Sequence, residues 1–223
     1  MDARTTETTI PAGNVRLVGD LVVPAGARGI VLFAHGSGSS RHSPRNRMVA
    51  EALNRSALAT LLVDLLTGAE EEIDDRTGEL RFDIGLLTGR LVGIVDWLAD
   101  GEWLADGEPA GRLPIGLFGA STGAAAALSA AVQRPDQVYA VVSRGGRPDL
   151  AGADLRRVRA ETLLLVGGLD DEVLRLNNRA LADLDAGAEL RVVPGASHLF
   201  EEPGTLQQVA REAADWFVSH LPG

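Results

Sequence analysis

The chain has 223 residues and a formal charge of −10, with 21 basic side chains, every one arginine, against 31 acidic ones. That length suits one α/β domain spanning 1–223 and is too short for two ordinary domains with a linker. The acidic balance argues against nucleic acid or an anionic membrane as the main partner. The lack of cysteine removes disulfides, thiolate nucleophiles and cysteine-metal sites.

The first residues, Met1 to Glu7, have neither the basic start nor the apolar centre of a signal peptide, and no apolar run reaches membrane-spanning length. A cytoplasmic protein is the expectation. From Thr6 to Val23, polar and apolar residues alternate around a Pro11–Asn14 turn, which predicts an antiparallel hairpin. Gly29–Ala34 is apolar on both faces and reads as a buried strand. Ser43–Pro44 opens a helix to about Leu58, and Ala59–Leu65 is the next buried strand.

A polar, acidic segment from Thr67 to Glu79 leads into a helix over about Arg81–Leu98, where Ile84, Leu87, Leu91, Ile94, Val95 and Leu98 keep helical spacing. A strand over Leu113–Phe118 and a helix to about Arg134 follow. Strands are expected at Val138–Ser143, Thr162–Val166 and Ala188–Val193, with helices at Val173–Leu184 and Thr205–His220. Strands alternating with helices from Gly29 onward predict a mostly parallel sheet covered on both faces.

Between the strand ending at Phe118 and the alanine-rich helix stands Gly119-Ala120-Ser121-Thr122-Gly123. A serine flanked at two residues by glycines, on a strand-to-helix turn, has the form of a nucleophile elbow, which presents the hydroxyl at a helix N-terminus. A plain helix cap can look the same. Its partners decide between the two. After the strand Leu163–Val166 comes Gly167-Gly168-Leu169-Asp170-Asp171, and after Leu190–Val193 comes Pro194-Gly195-Ala196-Ser197-His198. Serine, acid and histidine therefore follow one another at successive strand ends, where open α/β sheets place their sites.

Ser121 is the candidate nucleophile, His198 the general base and acid, and Asp170 the orienting carboxylate, with Asp171 as its alternative. The oxyanion donors expected are the backbone N–H of Thr122 and that of Ser37 in the loop His35-Gly36-Ser37-Gly38-Ser39-Ser40. His35 is expected to be structural, His42 to line the pocket, and His220 to lie apart from the site. Arg41, Arg45, Arg47, Arg144 and Arg147 gather on the same side. Arg41, Arg144 and Arg147 are candidates for recognising a substrate carboxylate or phosphate. The competing expectation is that these arginines pair with Glu70, Glu71, Glu72, Asp74 and Asp75. Trp97, Trp103 and Trp216–Val218 are expected in the core or its rim, and the oligomeric state stays open.

These motifs, together with Ser143-Arg144-Gly145-Gly146-Arg147-Pro148-Asp149, resemble the dienelactone-hydrolase-like group of α/β hydrolases over nearly the whole chain. The resemblance implies one compact domain, a Ser121–Asp170–His198 triad, and neither cofactor nor metal. Related sequences also occur fused to phosphoribosyltransferase-like domains. Dienelactone hydrolases proper use cysteine, so the resemblance does not carry their substrate across. The interval Arg144–Glu161 is too short for a helical cap, which predicts an open site. The function expected is a serine hydrolase cleaving small carboxylic esters through an acyl-enzyme. The alternatives are an acyltransferase, thioesterase or amidase with the same triad, or a hydrolase-like binding protein.

Overall fold

The structure is a computed structural model that describes residues 5–101, 103, 112–184 and 187–223. An antiparallel pair, β1 (Thr5–Ala12) and β2 (Val15–Val22), opens one eight-stranded sheet. It continues through β3 (Ile30–Ala34), β4 (Ala59–Val63), β5 (Ile115–Ala120), β6 (Val138–Arg144), β7 (Glu161–Gly167) and β8 (Ala188–Val193). The strand order is β1-β2-β4-β3-β5-β6-β7-β8, with β2 antiparallel to β4 and every pair from β4 to β8 parallel.

Strict alternation along the central strands sends their side chains into two cores. Ile30, Leu32, Leu117, Val141 and Leu164 face α3 (Ile84–Asp100) and α4 (Thr122–Gln133). Val31, Phe33, Phe118, Val142, Leu163 and Leu165 face α1 (Pro44–Arg55) and α6 (Thr205–Ser219). Phe33 and Phe118 meet there at 4.8 Å between ring centres. Trp216 and Phe217 are buried in this second core, while Trp97 and Trp103 are half-buried beside the first.

The acidic segment holds an element that its composition hides. Gly68–Thr77 is a helix, α2, started by a reciprocal cap: Thr67 Oγ1 accepts the Glu70 N–H, and the Glu70 carboxylate accepts the Thr67 N–H at 2.8 Å. The next helix starts at Ile84 rather than Arg81. Leu80–Phe82 forms a 3-10 turn, and Asp83 caps α3 by accepting the Leu86 N–H. Helix α1 stops at Arg55, short of Leu58, and α5 spans Asp171–Asp183. Between β6 and β7 the chain makes only the 3-10 segment Pro148–Arg157, packed against α4 and α5, so no cap is inserted there. No helix among the described residues is long and apolar enough to cross a membrane.

Candidate active site

The turn from β5 to α4 holds Ser121 at φ +50° and ψ −121°, a conformation that L side chains rarely adopt. Both of its backbone polar groups are bound by the end of β6 and the loop that follows it. The Ser121 N–H donates to the Arg144 carbonyl at 3.3 Å, and the Arg147 N–H donates to the Ser121 carbonyl at 3.0 Å. Although Ser121 occupies the cap position of α4, its side chain makes no capping bond. The hydroxyl is therefore not spent on the helix.

Close backbone approach forces the small residues around it. A Cβ on Gly123 would overlap the carbonyl oxygen of Ala34 and stand 2.6 Å from that of His35. A Cβ on Gly36 would stand 2.9 Å from the Ser121 Cβ. The His35–Ser40 loop and the elbow are thus pressed together with no room for a methyl group between them.

Loops after β7 and β8 build the second half of the site. Asp170 caps α5, its Oδ1 accepting the Val173 N–H, which leaves Oδ2 free to accept from His198 Nδ1 at 2.6 Å. Asp171 begins α5 as an exposed residue, so Asp170 is the carboxylate joined to the histidine. A carboxylate acceptor requires a proton on Nδ1, and in the neutral ring Nε2 then carries the lone pair. The loop bearing His198 is held by Glu202, whose Oε2 accepts the Ser197 N–H at 3.0 Å, and by Phe200, buried at φ +56°. Nothing in the sequence spacing marks Glu202.

Gly145, next to Arg144, ties the two halves together. A Cβ there would stand 3.2 Å from the His198 carbonyl and 3.6 Å from its Cε1. The histidine thus stands over the same loop that grips Ser121. No hydrogen bond joins Ser121 Oγ to His198 Nε2, and neither atom is bonded elsewhere among the described residues. Such contacts are commonly long without substrate and close when it binds.

Of the two expected oxyanion donors, Thr122 lies at the first position of α4, where a helix leaves its N–H without an internal partner. The Ser37 N–H is engaged: it donates to Thr122 Oγ1 at 3.1 Å. A cleft of about 290 Å³ opens beside this bond, lined by the loop His35–Ser40, Thr122, Leu66, Leu87 and the side chains of Glu71, Asp75 and Arg81.

His35 is structural. Nδ1 bonds the Gly36 carbonyl, Nε2 accepts the Leu65 N–H at 3.1 Å, and burial holds its pKa below the ordinary histidine value. His42 is exposed and accepts from Arg47 at 2.7 Å, and His220 packs on Trp216. Among the described residues, no group of three or more His, Asp or Glu side chains is placed to hold a metal ion.

The arginines divide. Arg41 is bound by Asp64, with Glu7 and Asp20 also within ion-pair reach, and Arg147 is clamped by both oxygens of Asp149 at 2.8 Å. Arg47 pairs with Asp20 and Arg45 with Glu201. The acids of α2 turn to other partners, Glu70 to Arg90 and Asp74 to Arg81. Arg144 has no carboxylate partner among the described residues.

Sheet order, elbow and strand-end residues together define an α/β hydrolase fold. Comparison with known proteins makes this specific. A dienelactone hydrolase from Anabaena variabilis shares 56% identity and superposes with a TM-score of 0.93, over 99% of both chains. The chain belongs to the dienelactone hydrolase family of α/β hydrolases. Est1E from Butyrivibrio proteoclasticus (14% identity, 96% of this chain and 98% of that one, TM-score 0.76) shares the fold. So does a lidless α/β serine hydrolase from Xanthomonas campestris (16% identity, all of this chain and 98% of that one, TM-score 0.74). A Mycobacterium tuberculosis protein carrying the provisional name phosphoribosyl transferase is 56% identical over 220 residues, 99% of this chain. The chain spans about half the length, 47%, of that relative. No family model matches.

Proposed function

We propose that the protein is a serine hydrolase that cleaves small carboxylic esters through an acyl-enzyme on Ser121. The observation that carries this reading is the strained, uncapped Ser121 at the head of α4, held by the Arg144–Arg147 segment against which the Asp170-bound His198 also packs. A backbone strain of this kind costs on the order of 1–3 kcal/mol and persists where function uses it. A structural serine would gain more from capping the helix.

In the reaction, His198 Nε2 takes the Ser121 proton as Oγ attacks the ester carbonyl. Asp170 keeps the Nδ1–H tautomer and offsets the imidazolium charge. The N–H groups of Thr122 and Ser37 receive the oxyanion. In the free enzyme, Thr122 Oγ1 stands in for that oxygen on the Ser37 N–H and gives way as negative charge develops. The imidazolium then protonates the departing alcohol, and water repeats the sequence on the acyl ester. With only a 3-10 segment between β6 and β7 and no cap inserted there, specificity falls to the loops, and small, accessible acyl esters fit this reading. The phosphoribosyl transferase name belongs to a protein about twice as long, and that reaction gives this serine no role.

A neutral fluorophosphonate probe tests the reading. It should label the protein at Ser121, and labelling should vanish in Ser121→Ala. A folded protein that never labels would overturn it. Hydrolysis of 4-nitrophenyl esters of graded chain length, compared with matched thioesters and amides, then fixes the bond cleaved.

A further inference from the structure

The two edges of the sheet are finished differently. β1 carries Pro11, which has no N–H to offer another strand, and α3 packs along it. β8 has only β7 beside it among the described residues. Its run Ala188-Glu189-Leu190-Arg191-Val192-Val193 holds no proline and keeps an unbroken register with β7.

That register fixes which backbone groups stay free. The carbonyls of Gly187 and Val193 accept the N–H groups of Thr162 and Gly168 at 2.9 Å, so odd-numbered residues turn their backbone groups towards β7. Ala188, Leu190 and Val192 therefore point their N–H and C=O groups away from the sheet. No turn, loop or side-chain hydrogen bond reaches them among the described residues. The side chains alternate as well. Ala188 and Leu190 pack against the first core, and Val192, 41% exposed, shares their face. Glu189 and Arg191 stand on the other face, where Arg191 lies over the Trp216 ring at 5.6 Å and reaches Glu212 at 3.6 Å.

This strand is complementary to itself. About a two-fold axis through Leu190, an antiparallel second copy sets Ala188 opposite Val192 and Leu190 opposite its own counterpart. Those are the residues with outward backbone groups, so every free N–H meets a free C=O. In the same register Glu189 stands opposite Arg191, at the closely spaced positions where cross-strand charges interact most. Glu189 and Arg191 of one strand are themselves 2.8 Å apart, so the paired strands carry a ring of alternating charges. Moving the axis to Ala188 or Val192 sets Glu189 opposite Gly187 or Gly195 instead. An axis at an odd-numbered residue, or between residues, turns groups already held by β7 to the new strand.

We propose that β8 is a docking edge for a second copy of this chain, the two strands pairing antiparallel about Leu190 to join their sheets in a two-fold dimer. The dimer does not depend on Ser121 being a nucleophile.

Sedimentation velocity on the full chain, from about 1 to 200 µM, tests it. The unmodified protein should pass from the monomer mass to twice that mass within the range. Glu189→Arg and Arg191→Glu each set like charges opposite one another and should each raise the dissociation constant by about tenfold or more. Mixing these two single variants restores opposite charges and should return the doubled mass as a heterodimer. Val192→Pro removes an outward N–H that β7 does not use, so this variant should keep its far-UV circular dichroism and stay monomeric. Unmodified protein that is monomeric at the highest concentration would overturn the proposal. So would a dimer that persists in Glu189→Arg and Val192→Pro, because its interface lies elsewhere. Single variants that fold but stay apart when mixed would overturn the pairing about Leu190. If Arg191→Glu fails to fold beside Glu212, Glu189→Arg and Val192→Pro decide the matter alone.

Discussion

Glycine normally weakens a folded protein relative to alanine, and at Ser121 that order should invert. Elsewhere in a helix or strand, glycine costs about 0.5–1 kcal/mol more than alanine. Ser121 sits at φ +50° and ψ −121°, where any Cβ carries strain on the order of 1–3 kcal/mol. Ser121→Ala keeps that strain and Ser121→Gly releases it, so the glycine variant should be the more stable by about 1 kcal/mol. For a chain of this size that corresponds to an unfolding midpoint higher by roughly 2–4 °C. Thermal and urea unfolding of both variants measure the difference. The same pair at Ser129, buried within α4, supplies the ordinary order, with glycine less stable by about 1 kcal/mol. If glycine is the weaker variant at both positions, Ser121 is not strained and the argument from its conformation fails.

Asp170→Asn keeps a competent cap on α5 but loses the carboxylate facing Nδ1. The kcat for ester hydrolysis should fall by about 10³–10⁴-fold, while Asp171→Asn stays within about twofold of the unmodified rate; similar effects at the two sites would refute the assignment of the acid. Gly123→Ala drives a methyl group into the carbonyl oxygens of Ala34 and His35. Backbone cannot yield there, so the cost should exceed about 4 kcal/mol, seen as insoluble protein or loss of cooperative unfolding. His35 is held neutral by burial, with its pKa below 6.5, while the unfolded chain takes up a proton near 6.5. The unfolded state therefore binds more protons between those values, and stability should be complete above about pH 6.5 and decline as pH falls through that window. Urea unfolding from pH 7.5 to pH 5 checks this, and His35→Asn should flatten that part of the curve.

The central strands were legible because residues such as Val31, Leu32 and Phe33 are apolar on both faces, a pattern only a covered sheet strand sustains over so short a run. Helix α2 was not. Its interior offers Ile73 as the single large apolar side chain, so no stripe marks it, although the capping signal Thr67-x-x-Glu70 is present in the sequence. The three reactive candidates could be found because each stands at the end of a strand and their chain order is distinctive. Spacing could not separate Asp170 from Asp171. What separates them is which one caps α5, with one oxygen on the helix and the other on His198. The arginine partners were hidden for another reason. Arg41 is matched by Glu7, Asp20 and Asp64, contributed by β1, β2 and the end of β4, and only the folded sheet order brings those together.

The stretch joining β6 to β7 folds down against α4 and α5 instead of arching over Ser121. No described residue of that connection would shield an acyl group held on the part-exposed Ser121. Under the chemistry proposed above, an alcohol or amine acceptor would have to outcompete water there, which favours release of the free acid.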